Sequence, residues 1–113
     1  MKSSKGLPKF SSKAFLAPMA GITDPALRLI CKEYGAGLVY TDLTSVHSVI
    51  KKKDEVKKFV PFSEKERPVA IQLFGSDVKL LSKAVKIVDP YFDIIDYNMG
   101  CPSTKIKIGR AHV

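Results

Sequence analysis

A chain of 113 residues with 45% hydrophobic and 27% charged residues has the size and composition of one soluble globular domain, not of a disordered or fibrous chain. Two cysteines without paired spacing exclude a disulfide framework and a cysteine-rich zinc site, and with no apolar run of signal-peptide or membrane-span length the expected location is a reducing, cytoplasmic one. Nineteen Lys plus Arg against eleven Asp plus Glu leave a formal charge of +8, which favours encounter with polyanions, nucleic acid first among them, although a lysine-rich solvated surface needs no partner.

After a polar leader over 1–13, Ala14-Phe15-Leu16-Ala17 reads as a short strand running into the small-residue turn Pro18-Met19-Ala20-Gly21. Thr23 or Asp24 is placed to cap a helix with Pro25 at its first position, where the missing amide proton costs nothing. Leu27, Ile30, Cys31 and Tyr34 have the i, i+3, i+4, i+7 spacing of a buried face, which makes Cys31 a core residue, and Gly35 and Gly37 end the helix. Leu38 to Thr41 is a second strand, followed by Asp42. Val46 to Phe59 reads as one amphipathic helix, with Val49, Ile50, Val56 and Phe59 inside and Lys51, Lys52, Lys53, Lys57 and Lys58 mostly outside.

Pro61 to Arg67 is then a linker. Val69 to Phe74 forms a third strand that ends at Gly75, and Ser76 or Asp77 caps a helix whose Val78, Leu81, Val85 and Val88 line one side. In the fourth strand, Ile94-Ile95-Asp96-Tyr97-Asn98, alternation puts Asp96 and Asn98 on one face and Ile95 and Tyr97 on the other. The strand leads into Met99-Gly100-Cys101-Pro102, where glycine permits a sharp turn and proline stiffens the approach to the cysteine.

Strand, small-residue turn and helix recur at intervals suited to parallel βαβ units. In such folds binding groups gather at the C-terminal ends of strands, which is where Pro18 to Gly21, Asp42, Gln72, Asn98 and Cys101 fall. Cys101 has three readings. A thiol with an ordinary pKa of about 8.5 is mostly protonated at neutral pH and can serve as a general acid. A thiolate nucleophile would need a partner such as a histidine, and no motif ties His47 or His112 to it. The third reading is a small buried hydrophobe.

Taken together, Leu16-Ala17-Pro18-Met19-Ala20-Gly21-Ile22-Thr23-Asp24, Val69-Ala70-Ile71-Gln72-Leu73-Phe74-Gly75 and Asp96-Tyr97-Asn98-Met99-Gly100-Cys101-Pro102 resemble the tRNA-dihydrouridine synthase family over about Phe15 to Ile106. The resemblance implies the N-terminal half of an FMN-dependent TIM (β/α)8 barrel with parallel strands, truncated, from an enzyme that reduces uridines in tRNA with electrons from NADPH or NADH. It implies flavin contacts at Pro18, Met19, Ala20 and Gln72, with Asn98 between flavin and uracil. Cys101 matches the family's proton donor at uracil C5. For Gln72 the competing reading is a strand-end side chain bonded to backbone. For the whole chain the alternatives are another FMN barrel, such as a dihydroorotate dehydrogenase-like protein, and a basic RNA-binding module without chemistry.

Tyr97 stands where the family usually has a smaller aliphatic residue, and Asp42-Leu43 where Glu-Met is commoner. The family-like segment spans 14–107. Ile108-Gly109-Arg110-Ala111-His112-Val113 is also the translation of the start of a widely used sequencing adapter, so that tail is expected to be non-native. The family's lysine at the flavin ring and the phosphate site that such barrels build after later strands have no counterpart in these residues.

Overall fold

The computed structural model describes residues 6–100. Strands β1 (Phe15–Leu16), β2 (Leu38–Ser45), β3 (Val69–Phe74) and β4 (Ile94–Tyr97) form one parallel sheet in the order β1-β2-β3-β4. Sequential order is that of a barrel wall, since a doubly wound sheet would reverse direction at a switch point. The connections are α1 (Pro25–Glu33), the pair α2 (Val46–Lys51) and α3 (Val56–Phe59), and α4 (Val78–Val88).

One face of the sheet carries the core. Val39, Val69, Ile71 and Leu73 pack with Val46 and Val49 of α2, Val56 of α3 and Ala84 and Val88 of α4, all at or below 3% exposure. At about 1.5–3 kcal/mol for each large aliphatic side chain removed from water, this layer is the main source of stability. Alternation leaves Tyr40, Ala70, Gln72, Ile94 and Asp96 on the opposite face, with Ala70 opposite Ile94 and Gln72 opposite Asp96.

Helix α1 starts as the sequence specifies. Asp24 is the cap, its Oδ1 accepting from the Leu27 amide at 2.8 Å, with Pro25 at the first position. At its end Gly35, at φ +99°, donates to the Lys32 carbonyl while Ala36 donates to that of Cys31, a Schellman closure. The expected apolar face differs. Leu27 and Cys31 are half-buried, Ile30 and Tyr34 are exposed, and the deeply buried side chain is Arg28. Its ion pair with Glu66 sets the rotation of the helix and turns Ile30 and Tyr34 outward.

Three further boundaries depart from expectation. β2 continues through Ser45, and three steps along β2 from Tyr40 to Leu43 match two along β3, from Ala70 to Gln72, so Asp42 sits in a bulge inside the strand and not after it. The segment Val46 to Phe59 is not one helix. It breaks at Lys52, passes through a 3-10 turn and resumes as α3, which brings Pro61 back to accept from Arg28 at 2.7 Å; lysine propensity gives no sign of this break. Pro61 to Arg67 is ordered, not a loose linker. Its 3-10 turn Glu64–Glu66 has a capping box between Ser63 and Glu66, with Glu66 fully buried. In α4 the inward residues are Leu81, Ala84, Val85 and Val88, while Val78 in the first turn is exposed.

Candidate functional site

At the C-terminal ends of β3 and β4, three polar side chains form one cluster. Gln72 Nε2 donates to Asp96 Oδ2 at 2.6 Å, and Asn98 Nδ2 donates to Gln72 Oε1 at 3.1 Å. Asp96 and Asn98 therefore share a face, as strand alternation requires. Gln72 bonds to side chains, not to backbone, so both its amide oxygen and its amide nitrogen are fixed in direction. Each still has one acceptor or donor position for a ligand. Asn98 is held as well: its backbone N–H donates to the Leu73 carbonyl at 2.9 Å, extending the ladder, and its Oδ1 accepts from the Gly100 backbone N–H at 3.0 Å. On the other face Ile95 packs toward the core, and the Tyr97 hydroxyl donates to the Gly75 carbonyl, which binds the end of β4 to the loop after β3.

Tyr40 of β2 faces this cluster. Burial first, and then the nearby Asp96 carboxylate, push its phenol above the ordinary tyrosine range, so it stays neutral at physiological pH.

The turn after β1 is the next wall. Ile22 and Thr23 amides both donate to the Met19 carbonyl at 2.9 Å, and Gly21 takes φ +72°, a conformation costly for a residue with a Cβ. The Met19 amide donates to Thr23 Oγ1 at 2.8 Å, and the Gly21 amide to Asp42 Oδ2 at 3.3 Å. Asp42, displaced by the bulge in β2, thus ties the first turn to the second strand. Pro18 is half-buried, while Met19 and Ala20 present an exposed apolar edge.

A cleft of about 530 Å³ lies at the C-terminal half of β2, between the start of α1 and the α2–α3 segment. Thr23, Asp24, Arg28, Thr41, Thr44 and Phe59 are among its walls. Gln72 is not among its walls, although Leu43, its register partner on β2, is. The Thr41 hydroxyl is buried without a hydrogen-bond partner among the described residues.

The structure thus brings Gln72 together with Asn98 and orders the Pro18–Ala20 turn, whereas Cys101 lies outside the described residues, as does the expected tail over 108–113. Sequence reasoning had Asp96 only as a polar neighbour and passed over Tyr40, Arg28 and Glu66. The available signals were strand alternation for Tyr40 and, for Arg28, a charge set inside the apolar run Ala26 to Cys31. Among the described residues no group of three His, Cys, Asp or Glu is placed to hold a metal ion, and no helix is long and apolar enough to cross a membrane.

A sequentially ordered parallel α/β sheet with amide and carboxylate side chains gathered at its C-terminal edge defines the class: a segment of α/β barrel wall. The family model for dihydrouridine synthase matches residues 15–111, and the chain belongs to that family. It is similar to "tRNA-dihydrouridine synthase B" of Pasteurella multocida, 37% identical over 100 residues, covering 88% of this chain and 30% of that protein. The Aquifex aeolicus "Probable tRNA-dihydrouridine synthase" is 36% identical over 101 residues (88% of this chain, 32% of that protein), and the Escherichia coli K12 "tRNA-dihydrouridine synthase B" is 35% identical over 97 (85% and 30%). The chain spans about 30% of the length of these relatives.

Proposed function

We propose that this chain is a piece of the catalytic barrel of an enzyme that reduces uridine in tRNA to dihydrouridine, with FMN as cofactor and NADPH or NADH as electron donor. The observation that carries this reading is the Gln72–Asp96–Asn98 cluster on the face of the sheet opposite the packed helices, beside an ordered apolar turn, within a segment matching the dihydrouridine synthase family. These residues fit a flavin. A flat heteroaromatic ring needs an apolar ledge, which Pro18, Met19 and Ala20 supply, and a fixed donor–acceptor pair at its pyrimidine edge, which the Gln72 amide supplies. Asn98, bonded to Gln72, extends the same polar line toward a second ring, the target uracil.

Bound FMN would supply the hydride for uracil C6, and NADPH or NADH the two electrons that restore it. The proton for C5 comes from the Cys101 thiol in this reading, since a group mostly protonated at pH 7 suits a general acid. The target base has to leave the tRNA stack to reach the ring, as for other enzymes acting on bases, and the chain's positive charge favours that encounter.

The test uses a hybrid in which residues 15–106 replace the matching segment of the Pasteurella multocida relative. Cys101→Ala in that hybrid should keep bound FMN and nicotinamide oxidation while dihydrouridine formation falls about 10²- to 10⁴-fold, the usual contribution of a general acid. Dihydrouridine made at the unsubstituted rate would remove Cys101 from the mechanism. A hybrid that holds no flavin would overturn the reading as a whole.

A further inference from the structure

Three of the buried polar side chains among the described residues lie away from the Gln72 cluster and are joined in series. Glu66 is 0% exposed, and Arg28 and Thr23 are 3% exposed. The Glu66 carboxylate accepts from Arg28 Nε and from the Ser63 amide, the latter at 2.6 Å. Arg28 Nη1 donates to the Thr23 carbonyl at 2.9 Å and Nη2 to the Pro61 carbonyl at 2.7 Å, so each guanidinium nitrogen has an acceptor. The Thr23 hydroxyl then donates to the Ala17 carbonyl at 3.1 Å and accepts from the Met19 amide at 2.8 Å. The series therefore begins in the turn before β3 and ends on both sides of Pro18.

A buried ion pair is a poor way to gain stability, because desolvation offsets most of the attraction and a well-packed apolar pair often does as well. Its distinctive property is direction. The planar guanidinium fixes the Thr23 carbonyl, and Thr23 in turn fixes the carbonyl before Pro18 and the amide after it. We propose that Glu66, Arg28 and Thr23 are positioning residues that hold the Pro18–Ala20 turn at the height the flavin ring requires; this deepens the flavin reading above and rests on it.

In the hybrid described above, Thr23→Val keeps the shape and removes the hydroxyl, whereas Thr23→Ser keeps the hydroxyl. Apoprotein titrated with FMN should show the dissociation constant of Thr23→Val raised about tenfold, the equivalent of one or two net hydrogen bonds, and the visible band of bound flavin displaced. Thr23→Ser should restore both. Arg28→Lys keeps the charge beside Glu66 but has no planar fork, and should repeat the Thr23→Val result with the far-ultraviolet circular dichroism unchanged. A purely structural role would lower thermal stability while leaving affinity and band position where they were. FMN binding and spectrum unaltered in both Thr23→Val and Arg28→Lys would overturn the inference while the flavin reading stands; an unsubstituted hybrid that binds no FMN overturns both.

Discussion

At the scale of single residues, Gln72 is the position where geometry most sharply constrains chemistry. Its amide is oriented by Asp96 on one side and Asn98 on the other. Gln72→Ala in the hybrid should weaken FMN by on the order of 1–3 kcal/mol, because it removes an oriented hydrogen-bonding group and leaves Asp96 and Asn98 without their shared partner. Gln72→Glu should be worse above neutral pH than at pH 5. It sets a second carboxylate beside Asp96, and one of the two must take up a proton for the pair to persist. FMN titrations at both pH values check this, and equal affinity of wild type and Gln72→Ala would leave Gln72 a structural residue. Tyr40 gives a pH prediction with a definite sign. Its folded-state pKa is raised by burial and by Asp96, so the stability from keeping the phenol neutral is whole below the unfolded value of about 10 and is lost as pH rises through the higher folded value. Denaturation midpoints of wild type and Tyr40→Phe measured from pH 8 to 12 should diverge only above about pH 10, with the wild type losing more. Strand alternation made the pairing of Asp96 with Asn98 legible in the sequence. Arg28 stood out only as a charge inside an apolar run, and its pairing with Glu66 was not legible because that partner lies 38 positions away.

At the scale of elements, local chemistry carried the starts and stops, and long-range contact decided what lay between them. Asp24, Pro25, Gly35 and Asp77 mark helix ends through side-chain and backbone geometry confined to a few residues, so sequence shows them directly. The break at Lys52 and the bulge at Asp42 serve contacts with α1 and the first turn, and nothing within a few residues of either marks them. The Glu66 turn shows the energetic side of this. Glu66→Ala would leave the Arg28 guanidinium buried without its counter-charge, and the expected loss is about 3–5 kcal/mol. Gly37 is limited by space instead. A Cβ there would run into the backbone of Ser12, which cannot swing aside like a side chain, while the Gly37 amide is engaged with the Ala14 carbonyl at 2.8 Å. Gly37→Ala should cost about 1–3 kcal/mol as overpacking, and chemical denaturation measures both changes, Glu66→Ala in the hybrid above and Gly37→Ala in one extended to residues 6–106 so that Ser12 and Ala14 are included. A Gly37→Ala midpoint equal to wild type would mean that the segment before β1 is not seated against β2 in solution.

At the scale of the whole molecule, the sequential strand order was readable from the repeating strand, turn and helix, but the state of the isolated chain follows from what covers the sheet. Parallel sheets are stable when both faces are covered, and among the described residues helices cover only one. The opposite face bears Tyr40, Gln72, Ile94 and Asp96, each part-exposed, and among the described residues β1 and β4 each have an edge without a neighbouring strand. Ile30 of α1 and Tyr34 at its C-cap add apolar surface, and Phe15 adds it at the β1 edge, where its ring lies against Phe10. Open edges and uncovered apolar faces pair with further copies of the same chain. Charge opposes this, because +8 on 113 residues makes copies repel at low salt. Salt decides between the two: at 0.15 M the screening length is about 8 Å, so repulsion fades over the distance between docked sheets while the hydrophobic term persists. Residues 1–113 purified alone should therefore scatter light as oligomers whose mass rises from 10 mM to 500 mM salt, and should carry no stoichiometric flavin, because one third of a relative's length supplies one wall of the site. A monodisperse monomer at both salt concentrations, yellow with bound FMN, would contradict the account of this sheet as one wall of a larger barrel.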